Sequence, residues 1–81
     1  MWRDTVDNSA LRSQALWCVS RGELSWQQIS DLSECGAVSN LKRRLGIVCE
    51  AGVKEPQRYV SYAVALRIAN ALAMDPIDAG L

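Results

Sequence analysis

Two short amphipathic segments around one glycine turn constrain this chain most. The first opens at Ser25-Trp26-Gln27-Gln28. Ser25 can accept a hydrogen bond from the backbone N–H of Gln28, and the Gln28 side chain can reach back to the Ser25 N–H, a capping box that fixes a helix start. Trp26, Ile29, Leu32 and Ser33 then share one helical face. Cys35-Gly36 interrupts the pattern. A second segment, 37–45, places Val38, Leu41 and Leu45 on one side, and Gly46 closes it. Two short helices around a tight glycine turn make a helix-turn-helix pattern.

The rest of the chain supplies helices to pack on this pair. Leu11, Ala15, Cys18 and Val19 fall at i, i+4, i+7 and i+8. That spacing predicts a helix from Ser9, capped by Asp7, Asn8 or Ser9 and ended at Gly22. Trp17 points away from its inner face, where Trp2 or a partner subunit would cover it. Ala65, Ile68, Ala69 and Leu72 predict another helix, with Tyr62 and Leu66 nearby and Ser61 as its N-cap. Asp75-Pro76 predicts a last helix over 76–81, barely one turn long. Residues 46–59 carry two glycines and Pro56, and read either as a helical extension followed by a loop or as a small hairpin. The expected fold is all-α: a compact bundle of about five short helices containing a helix-turn-helix. The alternative is a winged helix-turn-helix with a small hairpin near 46–60. Residues 1–8 read as a flexible N-terminal arm and 9–81 as one domain. A chain of 81 residues has room for one small core.

Composition excludes several function classes. No apolar run approaches the ~18 residues of a membrane span. Met1-Trp2-Arg3-Asp4 has no apolar stretch behind it, so no secretory signal is expected. There is no histidine, which removes the commonest general base and zinc ligand. No glycine-rich phosphate loop or paired-carboxylate constellation is present, so neither enzyme activity nor a cofactor is expected. Cys18, Cys35 and Cys49 form no C-x-x-C pair. They are expected as small buried hydrophobes in a reduced, cytoplasmic protein, with no metal site.

Nine Lys+Arg balance nine Asp+Glu, which speaks against a basic, non-specific nucleic-acid coat. The signs are unevenly placed, however. Residues 36–67 hold six cations against two acids, a balance of +4. Residues 1–35 hold three against five, and residues 68–81 two acids only, so each flank carries −2. The basic middle contains the third predicted helix. With Leu41 facing the core, a rotation of about 100° per residue puts Ser39, Asn40 and Arg43 on the opposite face, flanked by Lys42 and Arg44. Arg can grip guanine O6 and N7, Asn can do the same to adenine, and flanking cations can neutralise phosphates. The capped helix start at Gln27 and Gln28 adds backbone N–H groups for a phosphate. The candidate DNA-binding residues are Gln27, Gln28, Ser39, Asn40, Lys42, Arg43 and Arg44. A Lys-Arg-Arg run on a short helix is also a common solvated face.

Two stretches carry a family resemblance. Ala65-Leu66-Arg67-Ile68-Ala69-Asn70-Ala71-Leu72-Ala73-Met74-Asp75-Pro76-Ile77-Asp78 resembles the fourth helix, and the entry into the fifth, of Cro and lambda-repressor-type helix-turn-helix regulators of phages and plasmids. Leu24-Ser25-Trp26-Gln27-Gln28-Ile29-Ser30 resembles the opening of that family's second helix. The resemblance covers about 11–81. It places Ser30 at a small-residue position and Leu41 at the apolar position of the recognition helix. Ser39, Asn40, Arg43 and Arg44 then fall where the family contacts DNA. The long link from Leu45 to Tyr59 departs from the family pattern and favours the winged alternative.

The resemblance implies a sequence-specific transcriptional regulator, a repressor from a phage, plasmid or other mobile element. It further implies a homodimer on a pseudo-palindromic double-stranded operator, with half-sites about one helical turn apart. Trp17, Tyr62, Ile77 and Leu81 are the candidate dimer-interface residues. The competing expectation is a small inhibitor, an antirepressor or anti-defence protein, that uses a helix-turn-helix shape to bind a protein partner. Zero net charge and three tryptophans suit such an interface.

Overall fold

The computed structural model describes residues 4–49 and 51–81. Among them the periodic segments form α1 (Ser9–Ser20), α2 (Trp26–Ser33), α3 (Val38–Arg44) and α4 (Tyr62–Ala71). Two short strands, β1 (Thr5–Asp7) and β2 (Tyr59–Ser61), complete the order β1-α1-α2-α3-β2-α4. The fold is mostly helical but not purely α.

Local chemistry sets the helix ends. The Ser25 hydroxyl accepts from the Gln28 N–H at 3.1 Å, and the Gln28 side chain accepts from the Ser25 N–H at 2.8 Å, so the capping box forms as expected. The Ser61 hydroxyl accepts from the Val64 N–H at 3.3 Å and caps α4. α3 ends in a Schellman motif: Ile47 N–H reaches the Lys42 carbonyl at 2.9 Å and Gly46 N–H the Arg43 carbonyl at 3.1 Å.

The core follows the predicted faces, with one shift. Leu11, Ala15 and Cys18 of α1, Leu41 of α3, and Ala65, Ile68 and Ala69 of α4 are buried. On α2 the inner residues are Ile29, Ser30 and Ser33, whereas Leu32 is 61% exposed. α2 packs most extensively on α4. Ser30 and Ser33 are the small residues of the buried face of α2, and the Ser33 carbonyl accepts from Arg67 of α4 at 3.0 Å. The Ser33 hydroxyl bonds back to the Ile29 carbonyl. The buried Ser30 Oγ has no hydrogen-bond partner among the described residues, so its place there rests on size.

Four expectations are corrected. Residues 1–8 are not all arm: Thr5–Asp7 is a strand, while residues 1–3, Trp2 included, lie outside the described residues. The region near 46–60 makes neither a helical extension nor a hairpin, since the described residues of 46–58 carry no helix or strand. β2 instead pairs antiparallel with β1, with Val6 opposite Val60. Both valines are buried and their neighbours exposed, so each strand contributes one residue to the core. Residues 76–81 form a hydrogen-bonded turn and not a fifth helix, although Asp75 does cap it, accepting from the Ile77 N–H at 2.9 Å. Finally, Cys18 and Cys35 are buried but Cys49 is exposed.

The start of α1 departs most from a local reading. The cap work falls to Asp7, whose carboxylate accepts from the Ser9 N–H at 2.8 Å. The bonds to Ser9 hold the Asp7 carboxyl below the usual range. Its small contribution is present above the unfolded carboxyl pKa and is lost as pH falls through the lowered folded value. Asn8 does something else. It is 1% exposed, and its amide nitrogen donates to the Arg44 carbonyl at 2.9 Å and the Gln57 carbonyl at 2.8 Å. Arg12 donates from Nη1 to the Asn8 amide oxygen at 3.2 Å and to the Leu45 carbonyl at 3.3 Å. The Asn8 N–H reaches the Arg58 carbonyl at 2.9 Å. Gly46 sits on this node with φ +75°, and a Cβ there would lie 2.6 Å from the Gln57 carbonyl oxygen. Only glycine meets both conditions.

Asn8→Ala removes two buried donors and orphans two carbonyls, so it should lower stability by about 2–3 kcal/mol. Gly46→Ala should be destabilising as well, through strain and the backbone clash. Urea unfolding monitored by circular dichroism checks both, and an unchanged midpoint for Asn8→Ala would mean that the node carries no stability.

Candidate nucleic-acid interface

α3 offers its inner face to the core through Leu41 and, just past its end, Leu45, both fully buried. Its other side chains are thereby turned outward. Ser39 is exposed, while Asn40, Lys42, Arg43 and Arg44 are half-buried. Five of the expected residues therefore lie on one short helix, and four of them are tied to neighbours or to each other. Arg43 donates from Nη2 to the Asn40 amide oxygen, one turn back. The Lys42 ammonium lies 5.1 Å from the centre of the Trp26 ring, a cation–π contact that joins α3 to the first residue of α2. The Arg44 backbone carbonyl is held by Asn8.

Among the described residues the one salt bridge is Arg21–Glu23 at 3.1 Å, beyond the end of α1. Lys42, Arg43 and Arg44 thus have no carboxylate partner among the described residues. They occupy the last turn of α3, where a helix dipole favours cations, so the run also has a purely structural use. The other cations of the basic middle divide. Arg67 donates from Nε to the Ser33 carbonyl at 3.0 Å and caps the end of α2 from α4. Arg58 lies over the Tyr59 ring at 5.9 Å. Lys54 is exposed.

The α2 start offers less than its sequence suggests. The Gln28 N–H and amide oxygen are both committed to Ser25. The Gln27 amide donates to Asp31 at 2.9 Å. The backbone N–H groups of Trp26 and Gln27, which lack carbonyl partners as at any helix start, are what remains for an anion.

The candidate interface residues are spread over three elements. Trp17 on α1 is 55% exposed, with Arg21 stacked 4.9 Å from its ring centre. Tyr62 opens α4 and is exposed, and Ile77 in the terminal turn is 81% exposed. Leu81 packs partly on the core.

Sequence reasoning named Asn8 only as a cap candidate, and missed its distant bonds, Arg12 and the Trp26–Lys42 contact. The Asn8 bonds span 36 and 49 residues, and no local spacing announces them. Trp26 was legible as an apolar face residue, but its second role depends on where α3 docks. Among the described residues no helix is long and apolar enough to cross a membrane. Comparisons with protein-family models, with curated proteins and with solved structures found no match.

Because Gln28 is committed to the cap, Gln28→Ala should cost about 0.5–1 kcal/mol of stability. Thermal unfolding measures this.

Proposed function

We propose that this chain is a sequence-specific, double-stranded DNA-binding regulator that acts by occupying its site without catalysis. In this reading α2, the turn at 34–37 and α3 make a helix-turn-helix, with α3 as the recognition helix in the major groove. The observation that carries it is the outer face of α3: an Asn40–Arg43 pair beside Lys42 and Arg44, with no acidic partner among the described residues. Cations left unneutralised by the fold are available to displace counterions from phosphates. Lys42, held on Trp26, fits a backbone clamp, and Arg43 fits a base contact. The resemblance to Cro and lambda-repressor-type proteins supports a homodimeric repressor of a mobile element, with Trp17, Tyr62 and Ile77 exposed for pairing.

The test is selection of bound DNA from a random pool at two salt concentrations. An enriched, palindromic site whose affinity falls with salt is the expected result. Against that site Arg43→Ala should lose about 1–3 kcal/mol and relax one base position. Lys42→Ala should weaken all sequences alike and flatten the salt slope by about one unit. A variant Arg43→Ala with unchanged affinity would remove α3 from the interface.

The exposed Leu32, at 61%, and Ile77, at 81%, favour a second reading, a small inhibitor that docks on a protein. No gel shift at low salt, together with a larger partner that co-purifies, would select it.

A further inference from the structure

Asn40 and Arg43 do not stand as two independent readers. Arg43 Nη2 donates to the Asn40 amide oxygen. The Asn40 amide nitrogen lies over the turn, 3.8 Å from where a side chain at Gly36 would begin. A guanidinium only donates, so the bond fixes the amide orientation: oxygen to Arg43, nitrogen toward Gly36. From this pair, and resting on the reading of α3 as the DNA-contacting helix, we infer that α3 selects a guanine through Arg43. Asn40 is its positioning residue and not a reader of adenine.

The stereochemistry decides between the two. A guanidinium has two edges that present parallel N–H groups, one formed by Nε and Nη2, the other by Nη1 and Nη2. Nη2 carries two hydrogens, one on each edge. Asn40 takes one of them, which leaves the other edge with both donors intact. Two parallel donors are what guanine O6 and N7 require. Reading adenine would instead need the Asn40 oxygen to accept from N6 while its nitrogen donates to N7. With Arg43 bound that oxygen keeps one lone pair, and the nitrogen is turned toward Gly36, so presenting both groups to adenine would require the amide to leave the orientation in which Arg43 holds it. Asn40 also narrows the rotamers open to Arg43 before any base arrives, so less side-chain entropy is lost on contact.

The experiment starts from wild-type protein and the duplex it enriches from a random pool. Competition binding with each base at each position then gives a preference profile for wild type and three variants. Wild type should prefer guanine at one position by about tenfold or more, the range of a good bidentate contact. Arg43→Ala should level that position. Asn40→Ala should reduce the preference there to about threefold and leave the ranking at other positions intact, since Arg43 keeps its donors but loses its guide. Asn40→Asp still accepts from Arg43, so it should keep the guanine preference while its charge weakens binding to all DNA. Thermal unfolding confirms that each variant is folded. The inference is overturned if Asn40→Ala spares the guanine and erases an adenine preference elsewhere, or if it weakens every sequence equally. If wild type enriches no sequence at all, the DNA-binding reading fails and this inference falls with it. An enriched site with the wrong profile removes the inference alone.

Discussion

The buried amide of Asn8 holds the arrangement together. Its nitrogen bonds the last carbonyl of α3 and the carbonyl of Gln57, and its oxygen receives Arg12. Three distant parts of the chain meet there: the start of α1, the end of α3 and the segment that leads into β2. Apolar packing is non-directional, and a domain this small has little of it to spare. A satisfied polar node supplies direction. It fixes where α3 ends and how that end sits against α1, and Gly46 is the only residue type that allows the close approach. At the other side of α3, the Lys42–Trp26 contact ties the helix to α2. The candidate interface is therefore a short helix held from two directions, and its outward residues owe their placement to groups that lie outside it.

What was legible in the sequence is what is local. The capping box at Ser25 and Gln28, the Gly46 stop, and the Ala65, Ile68, Ala69 face of α4 each follow from spacings of three or four residues. The two-stranded sheet has no such signature. Each strand is three residues with one valine, and its partner lies across most of the chain. The Leu32 face failed for a different reason. Periodicity orders a helix surface but does not say which stripe will be buried, and here it is Ile29, Ser30 and Ser33 rather than Leu32. Asp75-Pro76 shows a third limit: the cap forms, but what it opens is a hydrogen-bonded turn and not a helix.

The candidate site was legible as a surface and not as a mechanism. Placing Leu41 inward was enough to put Ser39, Asn40 and Arg43 outward. Counting charges by segment turned a neutral total into a basic middle. Neither step shows that Arg67 is spent on the Ser33 carbonyl, that Gln28 is spent on its cap, or that Arg43 is hydrogen-bonded to Asn40. Those commitments decide which cations remain for a partner. On the proposed DNA-binding reading, a neutral chain with a few cations on one helix binds weakly where the sequence is wrong, and discrimination falls to α3.

The most direct test of that claim is a nuclear magnetic resonance titration of the 15N-labelled protein with a mixed-sequence duplex at low ionic strength. The expected result is that amide shifts concentrate on 38–44, together with the Trp26 indole N–H, and fade as salt is added. Shifts confined to residues outside α3, such as Leu16, Trp17 or Ile77, or no shifts at any salt, would contradict it.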